Sequence, residues 1–292
     1  MKFRSVFVLH LIIPGALFYA LLADNAYAQS GWTQQKGDYL VKGFVNYTQS
    51  DRYFNLSGEE LQTSKYVQLV AGIYAEYGIT DRLTVLMNWP TLKHHYFETT
   101  EKISGVGDMA LGVKYGILQG NFPLAITFMP EFPIAKPNNF AQNKQISFER
   151  INLPTGDGEW NFLTNLALSR SFHPFPAYAS LGTTFNYRTA FEGLEFNHQL
   201  STYLEGGVKI VDIFWVNVAL KTQSTLGESV VTDFVRGEGT EYTAYKLGVL
   251  FPFSEKWSLD VAYFNFADFI IERKNLYSSG VISLGILYER KK

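Results

Sequence analysis

Beyond residue 30 the chain alternates between apolar and polar positions with a period of two, and 3.6-residue stripes are hard to find. In GVGDMALGVKYGIL (105–118), Met109, Leu111, Val113, Tyr115 and Ile117 fall on one face of an extended chain. Asp108, Ala110, Gly112, Lys114 and Gly116 fall on the other, with Val106 in the same register. The same sorting sets Val67, Leu69, Ala71, Ile73, Ala75 and Tyr77 against Tyr66, Gln68, Val70, Gly72, Tyr74 and Glu76. Leu124, Ile126 and Phe128, then Val216, Val218 and Leu220, then Ile282, Leu284 and Ile286 form further apolar faces almost free of charge. A soluble sandwich would turn polar faces outward. Here the apolar face is read as meeting lipid and the mixed face as lining a lumen.

Alternating runs near 38–50, 63–78, 83–92, 104–118, 123–132, 158–170, 177–190, 196–210, 214–225, 240–251, 257–267 and 276–290 predict twelve strands. Most exceed the roughly 5–6 residues of soluble strands and suit the ~9–11 that a tilted strand needs to cross a bilayer. Short connections (79–82, 119–122, 171–176, 211–213, 252–256) alternate with longer polar ones (51–62, 93–103, 133–157, 226–239, 268–275), 191–196 being a short exception. The prediction is an all-β chain: one transmembrane antiparallel β-barrel domain over 29–292. Its short turns and both termini are periplasmic, and its longer loops extracellular.

The N-terminus reads differently. Lys2 and Arg4, the apolar run 6–22 and Ala26-Tyr27-Ala28 predict a secretory signal over residues 1–28, and thus a bacterial outer-membrane address. With no Cys there is no lipid anchor, disulfide framework or thiolate metal site. No later run is apolar for long enough to form a spanning helix. A formal net charge of −2 leaves no basic field for nucleic acid. Aromatic residues make up 16% of the chain, and Tyr77, Trp89, Tyr115, Trp160, Tyr187, Trp257 and Tyr288 fall towards strand ends, where amphipathic rings settle at membrane interfaces.

The candidate lumen residues are Tyr74, Glu76, Asp108, Lys114, Glu131, Arg188, Tyr203, Glu205, Lys209, Lys221, Lys246 and Asp260, with Tyr66, Tyr178 and Tyr242 adding rings. Both charge signs occur in similar number. They can pair, plugging the lumen or only stiffening its wall, or stand in opposed rows across a conduit. Either way a mixed lumen suits neutral or amphipathic solutes better than acidic ones. Twelve strands give a barrel between the side-chain-filled eight and the open sixteen, so the expected conduit is narrow. Gly105-x-Gly107 opens a strand, not a helix, and is no phosphate loop. His94 and His95 point apart on an extended chain, which argues against a metal site. His198 has Phe196 and Leu200 on its own face while Ser201 faces away, so no Ser–His pair is evident. No catalytic residue, metal or cofactor is predicted. The reading is a channel for small molecules. Its alternative is a barrel acting through its loops, as an adhesin or membrane enzyme.

Ser104-Gly105-Val106-Gly107-Asp108 followed by Leu111-Gly112-Val113-Lys114-Tyr115 resembles the S-G-x-G-D-x-x-L-G-x-K-Y pattern of a bacterial outer-membrane family labelled "MetA-pathway of phenol degradation". Leu153-Pro154-Thr155-Gly156-Asp157 is similar to that family's downstream P-T-G segment. The resemblance implies an outer-membrane transporter barrel for aromatic or other hydrophobic small molecules. Ser283-x-Gly285-x-x-Tyr288 also resembles the polar-x-Gly-x-x-aromatic signal read by barrel-insertion machinery. It would leave Arg290 to Lys292 as a dispensable tail. From parity alone, Arg at Leu69 or Ile126 should impair assembly and Arg at Gln68 or Thr127 should be tolerated.

Overall fold

The computed structural model describes residues 29–146, 148–228 and 237–291; the leader read at 1–28 lies outside them. The period-two pattern builds strands throughout, and no described helix is long and apolar enough to cross a membrane. In chain order the strands are β1 (Tyr39–Phe54), β2 (Glu60–Thr80), β3 (Leu83–Phe97), β4 (Ile103–Gly105), β5 (Met109–Leu118) and β6 (Leu124–Phe132). Next come β7 (Phe140–Gln142), β8 (Arg150–Asn152), β9 (Asn161–Ser171), β10 (Ala177–Arg188) and β11 (His198–Ile210). The last are β12 (Phe214–Leu226), β13 (Tyr242–Pro252), β14 (Trp257–Ala267), β15 (Leu276–Tyr277) and β16 (Val281–Arg290).

Twelve long strands form a closed antiparallel barrel. Closure is direct, since β1 pairs with β2 along one edge and with β16 along the other. Closing the sheet removes its edges and leaves no unpaired ladder facing outward.

The alternation sorts burial as expected. Ile282, Leu284 and Ile286 are about half exposed on the outer face (51%, 50% and 52%), while Ser283 between them is 1% exposed. The polarity of the molecule is therefore inverted, with an apolar skin around a polar interior. That interior is filled. Lys114 and His95 are fully buried, as are Ala125 and Leu40.

Several elements depart from the sequence expectations. The 51–62 loop is largely strand, because β1 and β2 continue as a hairpin to Phe54 and Glu60. Likewise β3 runs on to Phe97. The strand expected over 104–118 is broken: β4 pairs with β3, residues 106–108 leave the ladder, and β5 resumes at Met109. Opposite the break, the β2–β3 register shifts between Ala71 and Ile73, where Pro90 has no N–H to donate. Gly107 N–H bridges the irregularity to the Pro90 carbonyl at 2.8 Å. Val106 consequently faces outward at 38% exposure and not into the lumen. The 133–157 segment carries the β7–β8 hairpin, and β16 begins only at Val281, with β15 pairing separately to Tyr53 and Phe54. Arg290 is paired with Tyr39, so the tail expected over 290–292 begins inside β16.

Candidate functional site

The lumen is closed from both ends. At the short-turn rim, residues 30–38 precede β1 and enter the barrel. Gly31 N–H donates to Ser169 Oγ (2.8 Å) and Gln34 N–H to Thr84 Oγ1 (2.9 Å). The Trp32 carbonyl accepts from Lys114 Nζ at 3.2 Å, and Gln34 Nε2 donates to Glu76 at 2.8 Å. The Trp32 ring meets Tyr178 edge-on, with centroids 6.0 Å apart. No periodicity marks this segment, because it is not a strand.

Above the strap lie three ion pairs set on the wall. Lys114 and Glu76 are 3.5 Å apart, and Glu76 also accepts the Tyr74 hydroxyl. Lys42 reaches Asp260 at 2.5 Å by passing over Gly285 on the intervening β16, where an added Cβ would sit 2.6 Å from the Lys42 Cε. Lys246 meets Glu205 at 3.0 Å, and Glu205 also accepts from Tyr178 OH at 2.7 Å. The Tyr178 ring lies flat over Gly207 of β11, where a Cβ would come within 2.3 Å of it. These glycines let long side chains lie along the wall, so the charges satisfy one another and do not form opposed rows. Tyr203 and Lys221 are cross-strand neighbours on the inner face. Lys209 keeps the inner parity of Tyr203 and Glu205 but lies near the short-turn end of β11. It sits at the rim and pairs with Asp212 of the next turn at 3.6 Å.

Towards the long-loop rim the two motif stretches meet. The Asp108 carboxylate accepts the N–H groups of Ala135 (2.9 Å) and Asp157 (2.8 Å), and Lys93 Nζ donates to the Thr155 carbonyl at 3.1 Å. The S-G-V-G-D break thus holds the P-T-G-D loop in the barrel mouth. Glu131, opposite Ala110, lies within electrostatic range of Asp157, Asp108, Lys93 and Glu159. Arg188 donates to Glu159 (Nε, 2.7 Å) and to Glu238 (Nη1, 3.3 Å), and stacks over Phe196. Around them Tyr66, Phe97, Leu153, Tyr242, Leu276 and Tyr277 form a buried apolar cap, in which the Tyr66 and Tyr277 rings stack at 4.6 Å.

His94 and His95 point apart, as adjacent residues on an extended chain do. His95 is buried against Tyr66 OH (3.0 Å), whereas His94 faces out and hydrogen-bonds its cross-strand partner Ser104 at 2.7 Å. His198 packs on Tyr187 at 4.4 Å and its Nδ1 accepts the Arg188 N–H. No group of three possible metal ligands occurs among the described residues.

Four features escaped sequence reading. Lys42 lies on a readable inner face of β1, but was not singled out. Lys93 turns inward only because the β3 irregularity flips the parity after Trp89. Glu238, inside the polar connection read over 226–239, is 1% exposed beside Arg188. The strap at 30–38 carries no pattern at all.

No family model matches the chain, and no curated protein matches it. The family resemblance thus rests on its two motif stretches. Among solved structures, the chain is similar to an outer membrane channel from Pseudomonas putida F1, with a TM-score of 0.68 at 14% identity, covering 89% of this chain and 97% of that one. It is also similar to the translocator domain of the autotransporter NalP from Neisseria meningitidis, with a TM-score of 0.51 at 10% identity, covering 88% and 90%. At such identities the likeness establishes the outer-membrane type of β-barrel fold.

Proposed function

We propose that the chain is a bacterial outer-membrane channel, closed in this structure, that passes small uncharged or amphipathic molecules. The short turns and both termini face the periplasm, the long loops face outward, and outer-membrane lipid surrounds the apolar skin. Insertion machinery would read the last strand. The carrying observation is the pairing of charge along the wall: Lys42 with Asp260, Lys114 with Glu76, and Lys246 with Glu205 neutralise one another there, so that stretch of the lumen favours no ion of either sign. Wall tyrosines add rings with a hydroxyl, suited to weak, repeated contact with a small organic solute. The likeness to the phenol-degradation family points to the same cargo.

The test is liposome swelling with a neutral sugar, its acid and its phenyl glycoside. The expected order is phenyl glycoside, then sugar, then acid, all slow. Absence of permeation by all three from correctly folded protein would refute the channel.

A further inference from the structure

We propose that the periplasmic third of the lumen is a binding site for small molecules that join an aromatic ring to a carboxamide, and that residues 31–34 occupy it as an internal pseudo-ligand. The proposal rests on the channel reading only for how such a molecule arrives.

The strap presents three recognition elements, and the wall answers each. Its ring, Trp32, meets Tyr178, which in turn packs on Trp215 at 5.8 Å. Its acceptor, the Trp32 carbonyl, takes a hydrogen bond from Lys114; its donor, the Gln34 carboxamide, gives one to Glu76. With the strap in place the Lys114 and Glu76 side chains are only 0% and 2% exposed, so a molecule that replaces it without admitting water must offer an acceptor to the one and a donor to the other. A carboxamide offers one acceptor and two donors in a single planar group. A carboxylate would suit Lys114 but set a second negative charge against Glu76. A hydrocarbon would fill the aromatic wall but would not replace the hydrogen bonds that Lys114 and Glu76 make to the strap, leaving them each other and Tyr74.

The strap is also built to leave. Its hydrogen bonds over 31–34 run mainly to side chains of the wall (Ser169, Thr84, Glu76 and Lys114) and form no strand ladder. Backbone bonding to the wall begins at Gly37, whose N–H donates to the Gly78 carbonyl at 2.8 Å. Displacement can therefore pivot there without disturbing β1.

The experiment measures benzamide, benzoate and ethylbenzene binding by saturation-transfer NMR on the folded full barrel in detergent. Trp32→Ala and Gln34→Glu each weaken the strap and leave the wall unaltered; heat-modifiable gel migration verifies folding. Both variants are expected to bind benzamide at least tenfold more tightly than wild type, with no such gain for benzoate or ethylbenzene. Adding Tyr178→Leu to Trp32→Ala should remove the gain. Equal benzamide affinity in wild type and both strap variants overturns the proposal, as does an equal gain for ethylbenzene. A swelling assay that fails while this binding pattern holds would refute the channel and leave the site standing. Normal permeation without the pattern would do the reverse.

Discussion

Replacing Asp260 with Leu tests whether the wall charges hold the barrel together in pairs. Lys42 is 2% exposed at its side chain and Asp260 is 12% exposed, with 2.5 Å between Nζ and Oδ2. Removing one partner of such a buried pair costs about 3–5 kcal/mol, because the remaining charge stays desolvated. The partial exposure of Asp260 favours the lower end, about 3 kcal/mol, which is roughly a 150-fold change in the folding constant. Replacing both partners, in Lys42→Met with Asp260→Leu, removes the stranded ammonium and should restore most of that loss. Urea titration of barrels refolded into vesicles, followed by tryptophan fluorescence and gel mobility, reads all the variants. A double variant as unstable as Asp260→Leu alone would show that the cost comes from packing around Gly285, and the paired-wall account would fail.

Three further outcomes follow from the structure. Arg at Leu284 or Ile126, both on the outer face, should cost about 2–4 kcal/mol at mid-membrane; Thr127→Arg should also lower folding yield, since Thr127 is 3% exposed and directly opposite Lys114, and wild-type yield for it would contradict the filled lumen. In the 268–280 loop, hydrogen bonds from Arg273 hold the Asp268 carboxyl below its ordinary range. That clasp is complete above the unfolded carboxylate pKa and is lost as pH falls through the lowered folded value. Amides 269–274 should accordingly show unchanged exchange protection from pH 7 to 5 and lose it only in strong acid. Loss near neutrality would refute the assignment.

The barrel was legible because burial on one side of each strand writes a period-two code, and a one-residue slip would turn charge into lipid. Leu284 beside Ser283, or Ile126 beside Thr127, could take only one orientation. The code fails where the ladder is interrupted. At Trp89–Leu92 an irregularity reverses the parity, so Lys93, read as the start of the 93–103 connection, instead continues β3 and lies inward; Pro90 was the local signal. The break at 106–108 keeps Asp108 inside but turns Val106 out. Loops and strap obey no period. Their positions depend on single long-range bonds such as Asp108 to Asp157, Arg188 to Glu238 and Lys114 to Trp32. The pairing of wall charges was one of two arrangements that composition allowed. What decided it was reach: Lys42 meets Asp260 across a single glycine. The tolerance first expected of Thr127→Arg is revised for a similar reason, since parity identifies the inner face but not how full it is.

The two closures of the lumen differ in kind, and that difference orders how the barrel can open. The long-loop cap buries Tyr66, Tyr242 and Tyr277 almost completely, together with Phe97, Leu153 and Leu276. Exposing one such ring returns about 150–250 Å² of surface to water, at roughly 25 cal/mol per Å², so each ring resists opening by several kcal/mol. The strap is held mainly by hydrogen bonds, each worth only ~0.5–1.5 kcal/mol net when water or a solute can take over its partners. Its one large side chain, Trp32, is only partly buried and meets Tyr178 by its edge. A solute that satisfies Lys114 and Glu76 replaces most of what holds the strap, whereas no small polar molecule replaces the apolar cap. The periplasmic mouth is the weaker closure. On the channel reading proposed above, entry from outside draws on burial of the solute's own apolar surface among the cap's rings, beside the Asp108 and Arg188 hydrogen-bond networks at that end.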